Sequence, residues 1–315
     1  MKKISDIEFS NLYLGKQNSW YLHLEGGIEK AIPLSGEFDD DAGELSRLCI
    51  ETENNVGRTD FAVTHNDVRY RVSRMPSISD TYYVLRRFPD HVPSINDLGI
   101  HPGFIKKLMQ PHMTGLLIFA GATNQGKTWS ASSLLVERLK VYGGVATTAE
   151  DPPEMPLEGS HGAGMCFQTW AARETGGFAE ACRNIVRWNP TIILLGEIRD
   201  SDTAVEAIKA SINGHLVICT VHADSAITAI ERIQALASSA SEDLNGSFAS
   251  GLAAVLHQRL EGESQKRLVI ESLFVFGDEN EAGIRQTIRI KKTSMLTCEI
   301  QLQKNKMLTS RSMSQ

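Results

Sequence analysis

The chain has 315 residues, 42% hydrophobic and 22% charged, with a net charge of −6, which excludes a disordered or fibrous polymer and suggests two domains at roughly 150 residues each. Its longest apolar runs, 116–120 and 192–195, fall far short of the ~20 residues that span a bilayer, and Asp6 and Glu8 interrupt the opening segment where a secretory signal needs an apolar core. Five scattered cysteines without a C-x-x-C pair argue for a reducing, cytoplasmic compartment and against a disulfide framework or a cysteine-held zinc.

Along the first 95 residues, short apolar or aromatic runs alternate with turn signals. Residues 20–24, 61–64 and 68–72 read as strands, and Gly26-Gly27 suits a hairpin turn. Residues 41–50 read as a helix with Leu45, Leu48 and Cys49 on one face. These elements predict a small α+β domain over 1–95. Residues 96–112 hold prolines and glycines and read as a linker with one short helix around 104–109. From 113 onward, strand-like runs (116–120, 145–149, 192–195, 216–221) alternate with helical stretches (127–140, 179–186, 203–212). That alternation predicts an α/β domain over 113–315, a parallel sheet covered by helices. The tail from about Gln303 is polar and expected to fray.

Charge is uneven along this frame. Residues 1–68 carry 6 basic and 13 acidic side chains, whereas 69–112 carry 7 and 3, including Arg69, Arg71, Arg74, Arg86 and Arg87. The negative total counts against a nucleic-acid coat.

Four motifs carry chemistry. Gly121-Ala122-Thr123-Asn124-Gln125-Gly126-Lys127-Thr128 is a complete G-x-x-x-x-G-K-[ST] loop between a strand and a helix. Its backbone amides are expected to wrap phosphate at a helix N-terminus, with Lys127 on the β- and γ-phosphates and Thr128 on Mg²⁺. Asn124 stands where such loops often have glycine, and asparagine tolerates left-handed backbone. Thr148-Ala149-Glu150-Asp151-Pro152-Pro153-Glu154 follows the next strand. It offers Glu150 to orient an attacking water and Asp151 to hold the metal or the loop, because strand C-terminal ends face the ligand crevice. Leu194-Leu195-Gly196-Glu197-Ile198-Arg199-Asp200 ends a fully apolar strand on an acid, the form of a Walker B element, with Glu197 beside the Mg²⁺. Finally, a strand lies between His215 and His222. His222 is expected on the γ-phosphate side, and His215 reads equally well as a cap or a core residue.

In this order, the four motifs closely resemble the Walker A, Asp box, Walker B and His box of the type II/IV secretion ATPases (GspE/PilT type). The short chain resembles the PilT/DotB branch in particular. The resemblance implies a RecA-like P-loop ATPase domain with a smaller, PAS-like N-terminal domain, and ATP and Mg²⁺ as ligands. It also implies a homohexamer peripheral to the inner face of the cytoplasmic membrane, working on an inner-membrane platform protein in pilus retraction, secretion or conjugation. The family's catalytic residues fall on Glu150, Glu197 and His222. Its trans-acting arginines fall on the stretches holding Arg71, Arg86 and Arg87. Residues 283–288 partly match the Ala-Ile-Arg-Asn-Leu-Ile motif of retraction motors. There are departures: Arg187-Trp188-Asn189-Pro190-Thr191 lacks the two acids usual before Walker B, Asn124-Gln125 replaces Gly-Ser, and no tetracysteine module is present. A catalytically slow ATP-binding ring subunit and a RecA-like nucleic-acid translocase are the alternatives.

Overall fold

The computed structural model describes residues 2–25, 28–171, 176–241, 244–262 and 266–309. The chain divides into two compact units, Met1–Asp90 and His91–Gln315.

The first unit is built on β1 (Asn11–Leu14), β2 (Trp20–Glu25), β3 (Ile28–Pro33), α1 (Asp39–Val56), β4 (Asp60–His65), β5 (Val68–Pro76) and β6 (Thr81–Arg87). Its strands form one antiparallel sheet in the order β3-β2-β1-β6-β5-β4. Period-two alternation buries Phe61 and Val63, Tyr70 and Val72, Tyr83 and Leu85 on one face. The expected strands and helix are present, with α1 longer at both ends than 41–50. Leu45 and Cys49 are buried as expected, whereas Leu48 is only half-buried. Three aspartates in its first turn suit the helix dipole, and Gly57 at φ +65° ends it. Asn66 and Asp67, both at positive φ, make the two-residue turn between β4 and β5. The Gly26-Gly27 turn lies outside the described residues.

The second unit comprises α2 (Pro102–Leu108), β7 (Gly115–Ala120), α3 (Lys127–Tyr142), β8 (Gly144–Glu150), β9 (Gly159–His161), β10 (Gly164–Trp170), α4 (Gly177–Arg187), β11 (Ile192–Leu195), α5 (Ser201–Ile212), β12 (Leu216–Val221), α6 (Ala226–Ala240), α7 (Leu244–Gly251), β13 (Leu252–Glu261), β14 (Arg267–Phe274), α8 (Glu281–Arg289) and α9 (Leu296–Thr309). Its sheet runs β14-β13-β7-β12-β11-β8-β10-β9. The six inner strands are parallel and the two edge strands antiparallel.

The apolar runs that read as central strands are buried along their whole length, as a sheet with both faces covered requires. Alternate side chains feed two cores. Leu116, Ile118, Ile193, Leu195, Val217 and Cys219 face one core with α5 and α6. Leu117, Phe119, Ile192, Leu194, Leu216 and Ile218 face the other with α3. Each such burial contributes about 1.5–3 kcal/mol, so this sheet is the rigid platform from whose strand ends the loops project.

Two expectations are corrected. Residues 96–112 are not a linker. Ile95, Ile100, Phe104 and Leu108 are buried in the second core. The glycine and proline that suggested a tether instead punctuate helices: Gly99 ends a short 3-10 turn at φ +73°, and Pro102 opens α2 behind a His101 cap. Nor is the tail frayed from Gln303. It continues in α9, with Gln303 and Met307 buried. The Gln303 amide takes the Phe274 N–H at 2.8 Å and donates to the Phe274 carbonyl at 2.8 Å, covering the β14 end as a strand partner would. Residues 310–315 lie outside the described residues. Among the described residues no helix is long and apolar enough to cross a membrane.

Candidate active site

The loop after β7 owes its path to two kinds of residue. At Gly121 (φ +150°) a Cβ would come 2.4 Å from the carbonyl oxygen of Gln258 on β13, so only glycine allows that approach. Asn124 lies at φ +60°, the left-handed backbone anticipated for it. Gly126, at φ +77°, then hands the chain to α3, which starts at Lys127. The loop thus meets a helix N-terminus, where unpaired amides and the dipole favour an anion. Lys127 is buried, and its Nζ donates to the carbonyls of Gly121 at 2.9 Å and Ala122 at 2.6 Å. Burial pulls its pKa down, and the carboxylates of Glu197 and Glu154 oppose that shift.

The other motif residues arrive on neighbouring parallel strands. Glu150 ends β8 and is 3% exposed. Its Oε1 accepts from Thr148 Oγ1 at 2.6 Å and Gln168 Nε2 at 2.9 Å, and its Oε2 from the Glu154 amide at 3.5 Å. Burial pushes the Glu150 carboxyl above its ordinary pKa, and those three donors pull the other way. Glu197 follows β11. It is gripped by Arg199 Nη2 at 2.6 Å, and its Oε1 lies 3.4 Å from His222 Nε2.

A cavity of about 570 Å³ is lined by residues from Thr123 to Ser130 together with Glu150, Asp151, Glu154, Glu197, Arg199 and His222. The fold therefore brings Asn124, Gln125, Lys127, Thr128, Glu150, Glu197 and His222, widely separated in sequence, to one concavity at the C-terminal ends of β7, β8, β11 and β12. Asp151 is exposed, and its Oδ1 accepts from the Trp170 indole at 3.2 Å.

Other predicted residues go elsewhere. His215 is a core residue: it is buried, with Nδ1 2.7 Å from the Pro190 carbonyl. Arg71, Arg86 and Arg87 lie in the first unit. Arg71 and Arg86 are directly paired across β5 and β6, so they share the sheet face away from Tyr70 and Arg87. Arg86 Nε donates to Asn11 Oδ1 at 2.5 Å. Arg87 is an internal clamp: its Nη2 lies 2.7 Å from each of the carbonyls of Ile4, Ser5 and Ile7, and its guanidinium stacks over Phe9. The 283–288 stretch sits in α8, with Ile284 and Ile288 buried and Arg285 held by Glu281 and the Ala249 carbonyl.

The motifs do not reveal the residues that hold the loops in place. Gln258 Nε2 donates to the Gln125 carbonyl at 2.6 Å, and the Gln125 side chain accepts the Leu260 amide at 2.6 Å. This reciprocal pair ties the 121–128 loop to β13 through the very residue that departs from Gly-Ser. Leu98, Phe178, Leu260 and Leu268 add apolar walls. No local pattern marks any of them, because each acts across a long sequence separation.

Comparison with known proteins bears on the family and the fold. The family model described as "Type II/IV secretion system protein" matches residues 54–302. The type IV pilus assembly ATPase PilB of Thermus thermophilus is 35% identical over 211 residues, 65% of this chain but 22% of that protein. The Escherichia coli protein YggR is 31% identical over 273 residues, covering 83% of this chain and 80% of YggR. The chain therefore spans about a fifth of one relative and most of the other. Among solved structures, the pilus retraction motor PilT with bound ADP superposes with a TM-score of 0.78 at 23% identity, covering 96% of this chain and 90% of that one. The motifs, the cavity they share and these matches lead to one assignment: the chain belongs to the type II/IV secretion system protein family and has the fold of PilT.

Proposed function

We propose that this chain is a Mg²⁺-dependent ATPase that works as a homohexameric ring at the cytoplasmic face of the inner membrane. Its work there is on a platform protein, powering type IV pilus retraction or a related secretion or conjugation machine. The observation that carries this reading is the single cavity joining Lys127, Thr128, Glu150, Glu197 and His222.

In this proposal, loop residues 121–128 and the α3 N-terminus cradle the phosphates, and Lys127 leaves its own loop carbonyls to neutralise them. Glu150 orients the attacking water and takes its proton. The Thr128 hydroxyl and the Glu197 carboxylate, with Asp151 at the rim, offer the hard oxygen donors that Mg²⁺ prefers. The ion would supply Lewis-acid stabilisation of phosphate charge. His222, beside Glu197, links the state of the site to the strand that carries it. Arg71 and Arg86, facing away from the core of their own sheet, are the arginines assigned to a neighbouring subunit's nucleotide. Arg87, occupied as a clamp, is assigned the structural task.

The decisive test is Lys127→Ala, which should abolish hydrolysis and most ATP binding, because the lysine supplies the mobile charge inside the loop. Near-parental turnover in that variant would sink the assignment. One observation favours a slow enzyme as the second reading: Glu197 is engaged by both Arg199 and His222 and must be released to meet a metal. Single-turnover hydrolysis by the purified chain separates the two readings.

A further inference from the structure

We propose that Gln168, outside every motif, is a positioning residue for hydrolysis that fixes which oxygen of Glu150 is turned to the reacting water. The inference rests on the ATPase reading above.

Strand geometry brings the contact about. Gln168 on β10 is the parallel partner of Thr148 on β8, and Thr148 and Glu150, two residues apart on β8, project from the same face. Two neutral donors, the Thr148 hydroxyl at 2.6 Å and the Gln168 amide at 2.9 Å, thereby converge on Glu150 Oε1. The other oxygen, Oε2, meets the Glu154 amide at a long 3.5 Å and is the one available to a water in the cavity that Glu150 lines.

The Gln168 amide has no freedom to turn. Its Nε2 also donates to the Met155 carbonyl at 2.9 Å, and its Oε1 accepts the Leu157 and Glu158 amides at 3.0 Å each. Both hydrogens and both lone pairs are engaged, so a flipped amide would set oxygen against two acceptors and NH₂ against two donors. The main chain is pinned as well, because the Gln168 N–H donates to the Glu158 carboxylate. Gln168 thus locks the segment after the Asp box to the carboxylate that the Asp box presents. A carboxylate swinging on its own torsions would sample many orientations, and misplacement by about 1 Å can cost about 100-fold in rate.

The test is made on the full chain with ATP and Mg²⁺, reading kcat and ATP affinity separately. Gln168→Glu keeps an acceptor for the Leu157 and Glu158 amides but turns an oxygen toward Glu150. Gln168→Met removes the donor without adding charge. Each should lower kcat by about 10- to 100-fold, the loss of one hydrogen bond to a charged group, while the ATP dissociation constant stays within about two-fold. That split marks positioning, since a merely structural residue would move affinity and turnover together. Unchanged kcat in both variants, a parallel loss of affinity, or failure of both to fold would each overturn the proposal; if one fails to fold, the other decides. Insensitivity of the parent chain to Lys127→Ala would reject the ATPase reading itself. A Lys127-dependent parent whose Gln168 variants keep their kcat would reject only the role given to Gln168.

Discussion

Replacing Glu150 with glutamine should separate what this side chain does for catalysis from what it costs in stability. The amide has the carboxylate's shape, and its oxygen can still accept from Thr148 and Gln168 at the 2.6 and 2.9 Å positions. The new NH₂ takes the place of Oε2, whose contact with Glu154 is 3.5 Å long, so little hydrogen bonding is lost. What disappears is a negative charge on a side chain 3% exposed. Because burial holds the Glu150 carboxyl above its ordinary pKa, the folded chain keeps that proton to higher pH than the unfolded chain does. Stability therefore falls as pH rises from the ordinary carboxylate value to the raised one, and the full cost is present above it. Glu150→Gln should accordingly be at least as stable as the parent at pH 8, by ~1 kcal/mol or about 2–4 °C for a domain of this size class. The advantage should shrink toward pH 5. ATP binding should persist, and turnover should drop about 10²- to 10⁴-fold with the loss of the base proposed at this position. Phosphate release, nucleotide titration and thermal melts at both pH values measure all three. Turnover within ten-fold of the parent, or a lower melting temperature with collapsed ATP affinity, would refute the reasoning and make Glu150 a structural residue.

Arg87→Met should weaken the first unit by about 2–3 kcal/mol in urea, because the Ile4, Ser5 and Ile7 carbonyls lose a charged donor and Phe9 loses its cation. ATP affinity should be unchanged, and parental unfolding would dismiss the clamp. Arg86→Ala and Lys127→Ala chains, each inactive alone, should regain some ATPase activity when mixed and allowed to exchange, because some interfaces would then pair an intact loop with an intact arginine. A flat rate at background across all mixing ratios would remove Arg86 from a neighbour's site. Lysine at position 86 should rescue poorly, since it lacks the two-pronged grip of guanidinium on phosphate.

The site's chemical groups were legible in the amino-acid order because each rests on a contiguous stretch. A strand, a glycine-bearing turn and a helix start are local events, so the loop over 121–128 could be read complete, down to the left-handed Asn124. Apolar runs such as 192–195 and 216–221 declared central strands because a strand buried on both faces has no polar alternation to confuse the reading. Strand ends then placed Glu150, Glu197 and His222 near one another, since parallel strands deliver their C-termini to one edge of the sheet. What packs around those groups was decided only in three dimensions. Gln168 reaches Glu150 across β10 and β8, and Gln258 and Leu260 brace Gln125 from a strand more than a hundred residues away. A lone glutamine in a strand carries no periodic or motif signal, and its meaning comes from the neighbour that the sheet order supplies. The same holds for 96–112 and the tail after Gln303. Their composition reads as tether and fray, yet long-range burial of Phe104, Leu108 and Met307 outweighs local turn chemistry. Arg87 shows the converse: its charge was visible, but whether a guanidinium reaches outward or grips Ile4, Ser5 and Ile7 depends on which face of the sheet its strand position assigns it.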